Sequence, residues 1–185
     1  MTQRIPQITE AETSPETAKL FEGLQAKMGK IINIFKTMGH APSALEAYLN
    51  FSGAMAKSSL TPAQRELIAL AVAGANHCDY CASAHTQIGK GAGLSDADTQ
   101  AALNAKATDA KTQALVTFAR TVNDKRGNVS DADVKAMRDA GWGNQQIVEA
   151  VAVVSLNVYT NFFNHVAGTE VDFPLVSTSS VAKAA

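Results

Sequence analysis

The chain has few of the features that mark a specialised class of protein. Only two of its 185 residues are cysteines and 6 % are aromatic, and 16 basic and 17 acidic residues leave a formal net charge of −1. A nearly neutral chain without a lysine and arginine cluster among aromatics does not indicate nucleic-acid binding. Hydrophobic residues make up 46 % of the chain, which is ordinary for a globular protein with a core.

Long hydrophobic runs are also missing. The longest apolar stretch, residues 67–75, is too short to cross a bilayer, and residues 1–6 contain no apolar run like that of a secretory leader. We therefore expect no membrane association and a cytoplasmic location. In a reducing compartment, two cysteines three positions apart are more often catalytic or metal-binding than a structural disulfide.

The apolar residues recur at spacings of three and four, whereas alternating, strand-like runs are scarce. This periodicity predicts an all-α fold. Ser14-Pro15 and Thr61-Pro62 each have the form of an N-cap followed by proline in the first helical turn. We expect one compact multi-helix bundle over residues 1–176 and a loose tail over residues 177–185.

Two stretches of the chain resemble each other. Residues 93–98 read GLSDAD, and residues 128–133 read NVSDAD. One explanation is an internal duplication of a helical unit, with a degenerate second copy at about residues 128–168. Chance similarity between amphipathic helices explains the pattern equally well.

The duplication hypothesis has a specific register. It aligns Glu66 with Glu149, and each of these residues precedes a stretch rich in Ala and Val. In that register the two cysteines of the first unit fall on Asn161 and Asn164 of the second. Only the first unit would then keep the thiols.

The cysteines form a CxxC motif, Cys78 and Cys81, within predicted helices at about residues 61–91. Two cysteines with this spacing at the start of a helix lie on one face, so their sulfurs can form and reopen a disulfide. The free N–H groups and the dipole of a helix start favour a thiolate. A free cysteine has a pKa of about 8.5, so a nucleophile at neutral pH needs such help.

His85 and Glu66 complete the candidate site. His85 lies four residues after Cys81, on the same helical face, where an imidazole can take or return a proton. Glu66, on the preceding helix, can orient that ring and stabilise its charged form. The helix start favours Cys78 as the nucleophile, whereas the spacing to His85 favours Cys81. We prefer Cys81 as the attacking thiol and Cys78 as the resolving one.

Two further residues are candidates for the wall of a pocket. Tyr80 lies between the cysteines. His165 lies in the predicted last helix, one residue after Asn164, and either faces the site or lies at a subunit interface.

A zinc site is the alternative to redox chemistry at this motif. His77, Cys78, Cys81 and His85 are ligands of the right type. They lie within nine residues of one another, however, and adjacent side chains diverge on a regular backbone. Structural zinc sites usually take a second pair of ligands from a separate segment. We therefore expect no metal and no other cofactor.

The motif resembles a known family. Glu66, eleven intervening residues and then Cys78-x-x-Cys81-x-x-x-His85 are similar to the signature of the alkylhydroperoxidase D-like (AhpD-like) group of the carboxymuconolactone decarboxylase family. Residues 159–174 resemble the closing stretch of its peroxidase-related members. The resemblance implies an all-α AhpD-like fold, a homo-oligomer (trimer or hexamer) and hydroperoxide reduction at the cysteine pair. It also implies that the four motif residues form a proton relay.

One position departs from that family. The best-known hydroperoxidases of the group carry histidine immediately before the second cysteine, where this chain has Tyr80. The relay is therefore predicted to be shorter. We interpret the chain as a thiol-dependent hydroperoxide reductase that an external dithiol restores. The alternatives are a disulfide oxidoreductase or redox sensor that uses the same pair, and a zinc-binding helical assembly protein. Lactone decarboxylation fits poorly, because that branch generally lacks the cysteine pair.

Overall fold

The computed structural model describes residues 2–181, which contain helices and no strand. A short 3-10 turn, Glu10–Glu12, precedes the first α-helix. The α-helices are α1 (Pro15–Met28), α2 (Asn33–Met38), α3 (Pro42–Met55), α4 (Pro62–Ala75), α5 (Asp79–Gly91), α6 (Asp96–Leu103), α7 (Ala110–Asp124), α8 (Asp131–Asp139) and α9 (Asn144–Ala167). The prediction of an all-α fold is confirmed.

Side-chain caps begin most of these helices, and two of the caps lie at Ser14 and Thr61, as the sequence indicated. The Ser14 and Thr61 hydroxyls each accept the N–H of the third residue after them, which would otherwise lack a partner in the first turn. Ser95 and Ser130 do the same for α6 and α8, each in a capping box. The two similar SDAD stretches therefore share a helix-start geometry.

The core is built around α4, which packs against α5, α6, α7 and α9. Ile68, Leu70 and Val72 on this helix are fully buried. Near its end, Gly74 lies directly against the Leu103 carbonyl of α6, where a Cβ would collide with the backbone. Only glycine permits this close approach, which holds the end of α4 against α6.

The longest helix, α9, packs against α3, α4, α5, α7 and α8. It is the one helix within residues 2–181 that is long and apolar enough to cross a membrane by length and composition alone. The core helix of a soluble protein passes the same test. One face of α9 contributes to the core, and its outer face exposes Val148, Phe162 and Val166.

The two stretches that the duplication hypothesis aligned differ in structure. The stretch from Glu66 to the second cysteine is broken between α4 and α5, where His77 adopts a left-handed backbone conformation with φ of 52°. The stretch from Glu149 to Asn164 lies within the continuous helix α9. A broken and a continuous helix do not superpose, so this register is contradicted. The similarity is confined to the two capping turns.

The segment that follows α9 is anchored to α5. Asp79 Oδ1 accepts hydrogen bonds from the Thr178 backbone N–H at 2.8 Å and from its hydroxyl at 2.7 Å, and Val181 is buried. The Val176 N–H donates to the Ser83 hydroxyl at 2.9 Å. The expectation of a loose tail is therefore wrong for residues 177–181. Residues 182–185 of that prediction lie outside the described residues.

Candidate redox site

The two cysteines lie at the start of α5, as the sequence predicted. Cys78 is the N-cap residue, and its Sγ accepts the Cys81 backbone N–H at 3.3 Å. Their Cα atoms are 5.3 Å apart and their sulfurs are joined in a disulfide. Only 2 % of Cys78 and 3 % of Cys81 is exposed. The N–H groups and the dipole of α5 thus favour negative charge at this pair.

A tight turn places α5 against α4. The His77 N–H donates to the Gly74 carbonyl, and the Cys78 N–H donates to the Ala73 carbonyl at 3.0 Å. These bonds satisfy the last carbonyls of α4, as in other helix ends with a left-handed residue. The chain therefore reverses within a few residues and brings the side chains of α4 and α5 together.

Glu66 and His85 meet across these two helices. Glu66 Oε2 lies 2.7 Å from His85 Nδ1, and both side chains are largely buried. An ionised carboxylate only accepts hydrogen bonds, so Nδ1 carries a proton and Nε2 of the neutral ring is left as the base. The structure therefore forms the predicted contact between Glu66 and His85.

A cavity of about 930 Å³ adjoins the site. Cys81 and His85 line it, whereas Cys78 does not. Its walls are mainly apolar and come from α1, α2 and α3, with contributions that include Leu20, Leu24, Ile32, Ile34, Phe35 and Leu49. Cys81 is therefore the sulfur that a small molecule in the cavity would meet first.

Tyr80 also lines the cavity, as predicted, but its hydroxyl is occupied elsewhere. It donates to Asp172 Oδ1 at 2.8 Å and accepts the Ile34 N–H at 3.2 Å. Burial raises the pKa of Tyr80 far above its usual value, and the nearby Asp172 charge raises it further. Tyr80 therefore stays protonated and fastens α2 and the segment after α9 to α5, without a free hydroxyl for a proton relay.

His165 does not belong to the cavity wall. Its Nε2 lies 2.8 Å from the Asn76 carbonyl oxygen, where it ties α9 to the end of α4. Of the two places predicted for His165, the structure does not support the wall of this cavity, and a subunit interface stays a prediction. The sequence placed it near the site along α9, but its direction from the helix depends on packing.

The four residues of the zinc alternative point to different partners. His77 Nδ1 lies 3.3 Å from the Thr178 carbonyl oxygen, and His85 is bonded to Glu66. Among residues 2–181, no group of three or more His, Cys, Asp or Glu side chains is placed to hold a metal ion.

Asn164 is a site residue that the cysteine motif does not indicate. Its Nδ2 donates to Cys81 Sγ at 3.3 Å, and Asn164 also lines the cavity. A signal was present in the sequence, because α9 is apolar yet carries polar residues at spacings of three and four. These buried positions are Asn157, Thr160, Asn161 and Asn164.

Comparison with known proteins agrees with the motif. The carboxymuconolactone decarboxylase family profile matches residues 42–124, a span that contains Glu66, both cysteines and His85. No curated protein sequence matched the chain significantly.

Solved structures with the same fold cover almost the whole chain. An uncharacterized peroxidase-related protein from Ralstonia eutropha JMP134, described as an alkylhydroperoxidase AhpD core, has a TM-score of 0.83 at 24 % identity over 92 % of both chains. An uncharacterized peroxidase-related protein from Silicibacter sp. TM1040 has a TM-score of 0.79 at 22 % identity, over 92 % of this chain and 94 % of its own.

A third similar structure belongs to a protein with a different activity. The debrominase Bmp8, as a cysteine-to-alanine variant in complex with 2,3,4-tribromopyrrole, has a TM-score of 0.74 at 15 % identity over 93 % of both chains. The resemblance inferred from the motif is thus confirmed: residues 42–124 match the carboxymuconolactone decarboxylase family, within a chain that has the fold of the alkylhydroperoxidase AhpD core.

Proposed function

We propose that this protein is a thiol-dependent hydroperoxide reductase in which Cys81 attacks the peroxide. The observation that carries the proposal is that Cys81 lines an apolar cavity while bonded to Cys78, a resolving partner outside the cavity wall. His85, held by Glu66, lines the same cavity. A nucleophile, a base and an orienting carboxylate are thereby held on two helices.

The first step oxidises Cys81. Its thiolate attacks the terminal oxygen of the hydroperoxide, so an S–O bond forms and the O–O bond breaks. The departing alkoxide takes a proton and leaves as an alcohol, while the sulfur becomes a sulfenic acid. His85, which lines the same cavity, can supply the proton, and Glu66 stabilises its charged form.

The second step forms the disulfide seen in the structure. Cys78 attacks Cys81 Sγ, the S–S bond forms, and hydroxide leaves and is protonated to water. An external dithiol then reduces the pair by two exchange steps and becomes a disulfide itself. The short Cα separation of 5.3 Å allows the bond to form within the fold described.

Burial of the two cysteines favours peroxide reduction over disulfide exchange with other proteins. A disulfide oxidoreductase that acts on other proteins must present a sulfur at its surface, whereas both sulfurs here are almost fully buried. The cavity instead supports a small substrate and a reductant narrow enough to reach Cys81 through it.

Two wider properties belong to the same proposal. The exposed apolar residues on the outer face of α9, among them Phe162 and Val166, support a homo-oligomer, which we propose is a trimer or a hexamer. A cycle that consumes a dithiol fits a reducing compartment, so we propose a cytoplasmic location.

The test is peroxide consumption by the purified protein with a small dithiol as reductant. We expect the wild-type protein to turn over and the Cys81→Ser variant to lose turnover. Tribromopyrrole and a disulfide-bonded peptide serve as competing substrates for the dehalogenation and protein-exchange chemistries. Undiminished peroxide turnover in Cys81→Ser, or preference for either competing substrate, would overturn the proposal.

A further inference from the structure

Asn164 differs from the other polar residues buried on α9. Asn157 donates to the Val153 carbonyl of its own helix at 2.9 Å, and Asn161 accepts at 3.1 Å from Asn76, the C-cap residue of α4. The Asn164 side chain instead donates from Nδ2 to Cys81 Sγ at 3.3 Å. Its Oδ1 is buried and has no hydrogen-bond partner among the described residues.

This arrangement is poorly explained by packing. Burial of an amide is unfavourable unless its groups are paired, and side-chain amides between helices normally pair with backbone or with each other. Asn164 is 95 % buried, since 5 % of it is exposed, yet its side chain bonds only to the sulfur. A neutral sulfur is a weak acceptor, whereas a thiolate is a strong one. The Asn164 amide therefore makes its stronger hydrogen bond when Cys81 is ionised.

The two sulfurs have different sources of stabilisation. Cys78, at the N-cap, receives the Cys81 backbone N–H and lies nearest the start of α5. Without another donor, the helix start would favour charge on Cys78 rather than on Cys81. The side chain of Asn164 supplies a donor to Cys81 alone.

We propose that Asn164 is a catalytic residue that selects Cys81 as the attacking thiolate, through the hydrogen bond from Nδ2 to Sγ. The role in peroxide attack rests on the proposed function. The preference for a thiolate on Cys81 does not, because it can be measured without peroxide. It accounts for attack by the sulfur in the cavity wall although the other sulfur occupies the N-cap.

The experiment measures thiolate ultraviolet absorbance against pH in the full-length Cys78→Ser protein, where Cys81 is the remaining thiol. The Asn164→Leu variant should move the midpoint of thiolate formation to higher pH by about one unit, which is the loss expected for one hydrogen bond to a charged group. Asn157→Leu is the matched control, because Asn157 is equally buried on the same helix and lies away from the sulfur. We expect it to leave the midpoint in place.

A second variant tests the inference if Asn164→Leu does not fold. Asn164→Asp has nearly the same shape but places a carboxylate beside the sulfur, and it should raise the midpoint at least as much. An unchanged midpoint in a folded Asn164 variant, or an equal change in Asn157→Leu, would overturn the inference. If the midpoint moves but peroxide oxidises Cys81 in no variant, the inference stands and the proposed function fails.

Discussion

Glu66 Oε2 and His85 Nδ1 lie 2.7 Å apart and join the first half of α4 to the middle of α5. The two residues are nineteen positions apart in the chain, and their contact depends on the tight turn between the two helices. It fixes the orientation of the imidazole and its proton on Nδ1. The ring nitrogen left as a base is therefore Nε2, on a residue that lines the cavity with Cys81.

The Glu66→Gln variant should slow oxidation of the reduced protein by hydroperoxide about tenfold, because the imidazolium of His85 that supplies the proton loses its carboxylate partner. Glutamine can still accept from Nδ1–H but cannot stabilise the charged ring. Stopped-flow fluorescence or absorbance at neutral pH measures the oxidation rate.

Glu149→Gln is the matched control for this variant. Glu149 also begins an apolar helical stretch, but it accepts from the Ser59 N–H and hydroxyl, away from the sulfurs. Its replacement should leave the peroxide rate within about twofold. Equal rate losses in the two variants would show that a carboxylate near His85 has no special role.

The Tyr80→Phe variant should destabilise the fold without slowing the chemistry. Removal of the hydroxyl leaves Asp172 Oδ1 and the Ile34 N–H without this partner, at a cost of about 1–3 kcal/mol in the free energy of unfolding. Urea unfolding measures the loss. Tyr159→Phe, at a half-exposed ring, is the control and should change stability by less than about 0.5 kcal/mol.

The peroxide rate of Tyr80→Phe separates the two possible roles of the hydroxyl. A hydroxyl that only fastens α2 and the segment after α9 to α5 leaves that rate within about twofold. A tenfold loss in the folded variant would place Tyr80 in the proton relay and contradict its assignment as a clamp.

The local part of the site could be predicted from the sequence. The span from Glu66 to His85 covers two consecutive helices joined by one turn, so spacing along the chain determines which side chains can meet. The caps at Ser14 and Thr61 could be predicted for the same reason, since a cap depends on residues within one helical turn.

The long-range part could not be predicted in this way. Asn164 reaches Cys81 across 83 residues, and Thr178 reaches Asp79 across 99. Periodicity shows that a helix has a buried face but not which residue lies opposite it. For this reason the sequence does not indicate that His165 contacts Asn76 instead of the cavity, although the adjacent Asn164 does reach the sulfur.

Gly74→Ala should destabilise the protein by about 1–3 kcal/mol or more, because the added Cβ collides with the Leu103 carbonyl of the facing helix. Gly53→Ala is the control within a helix, because a Cβ there meets no atom within 4 Å. That substitution should be neutral or stabilising by up to about 1 kcal/mol. Denaturant unfolding measures the change in stability of both variants. Similar changes would contradict the close packing of α4 on α6.

The protein should lose stability at alkaline pH through Tyr48, which packs against Phe35 and lines the cavity. Burial raises its pKa to about 12, the nearby charge of Glu66 adds to this, and a hydrogen bond with Ser52 opposes it. In the unfolded chain the pKa is about 10. The folded state holds the proton more tightly, so this stabilisation is complete below about pH 10 and is lost as the pH rises through about 12.

Tyr48→Phe should make the fall in unfolding free energy between about pH 10 and 12 less steep than in the wild-type protein. Chemical denaturation at several pH values in this interval gives the slope. Burial also raises the pKa of Tyr80, so part of the slope remains in the variant. Equal slopes in the two proteins would contradict the burial of a protonated Tyr48.

The most direct test of the account is the site of first oxidation. Reduced Cys78→Ser protein is mixed with one equivalent of an organic hydroperoxide in the presence of a sulfenic acid trap, and the modified residue is identified by peptide mass analysis. The account predicts a trapped sulfenic acid on Cys81, formed much faster than on free cysteine, and no comparable product on Cys78 in the Cys81→Ser protein. Rapid oxidation of Cys78 in Cys81→Ser, or oxidation of Cys81 no faster than that of free cysteine, would contradict it.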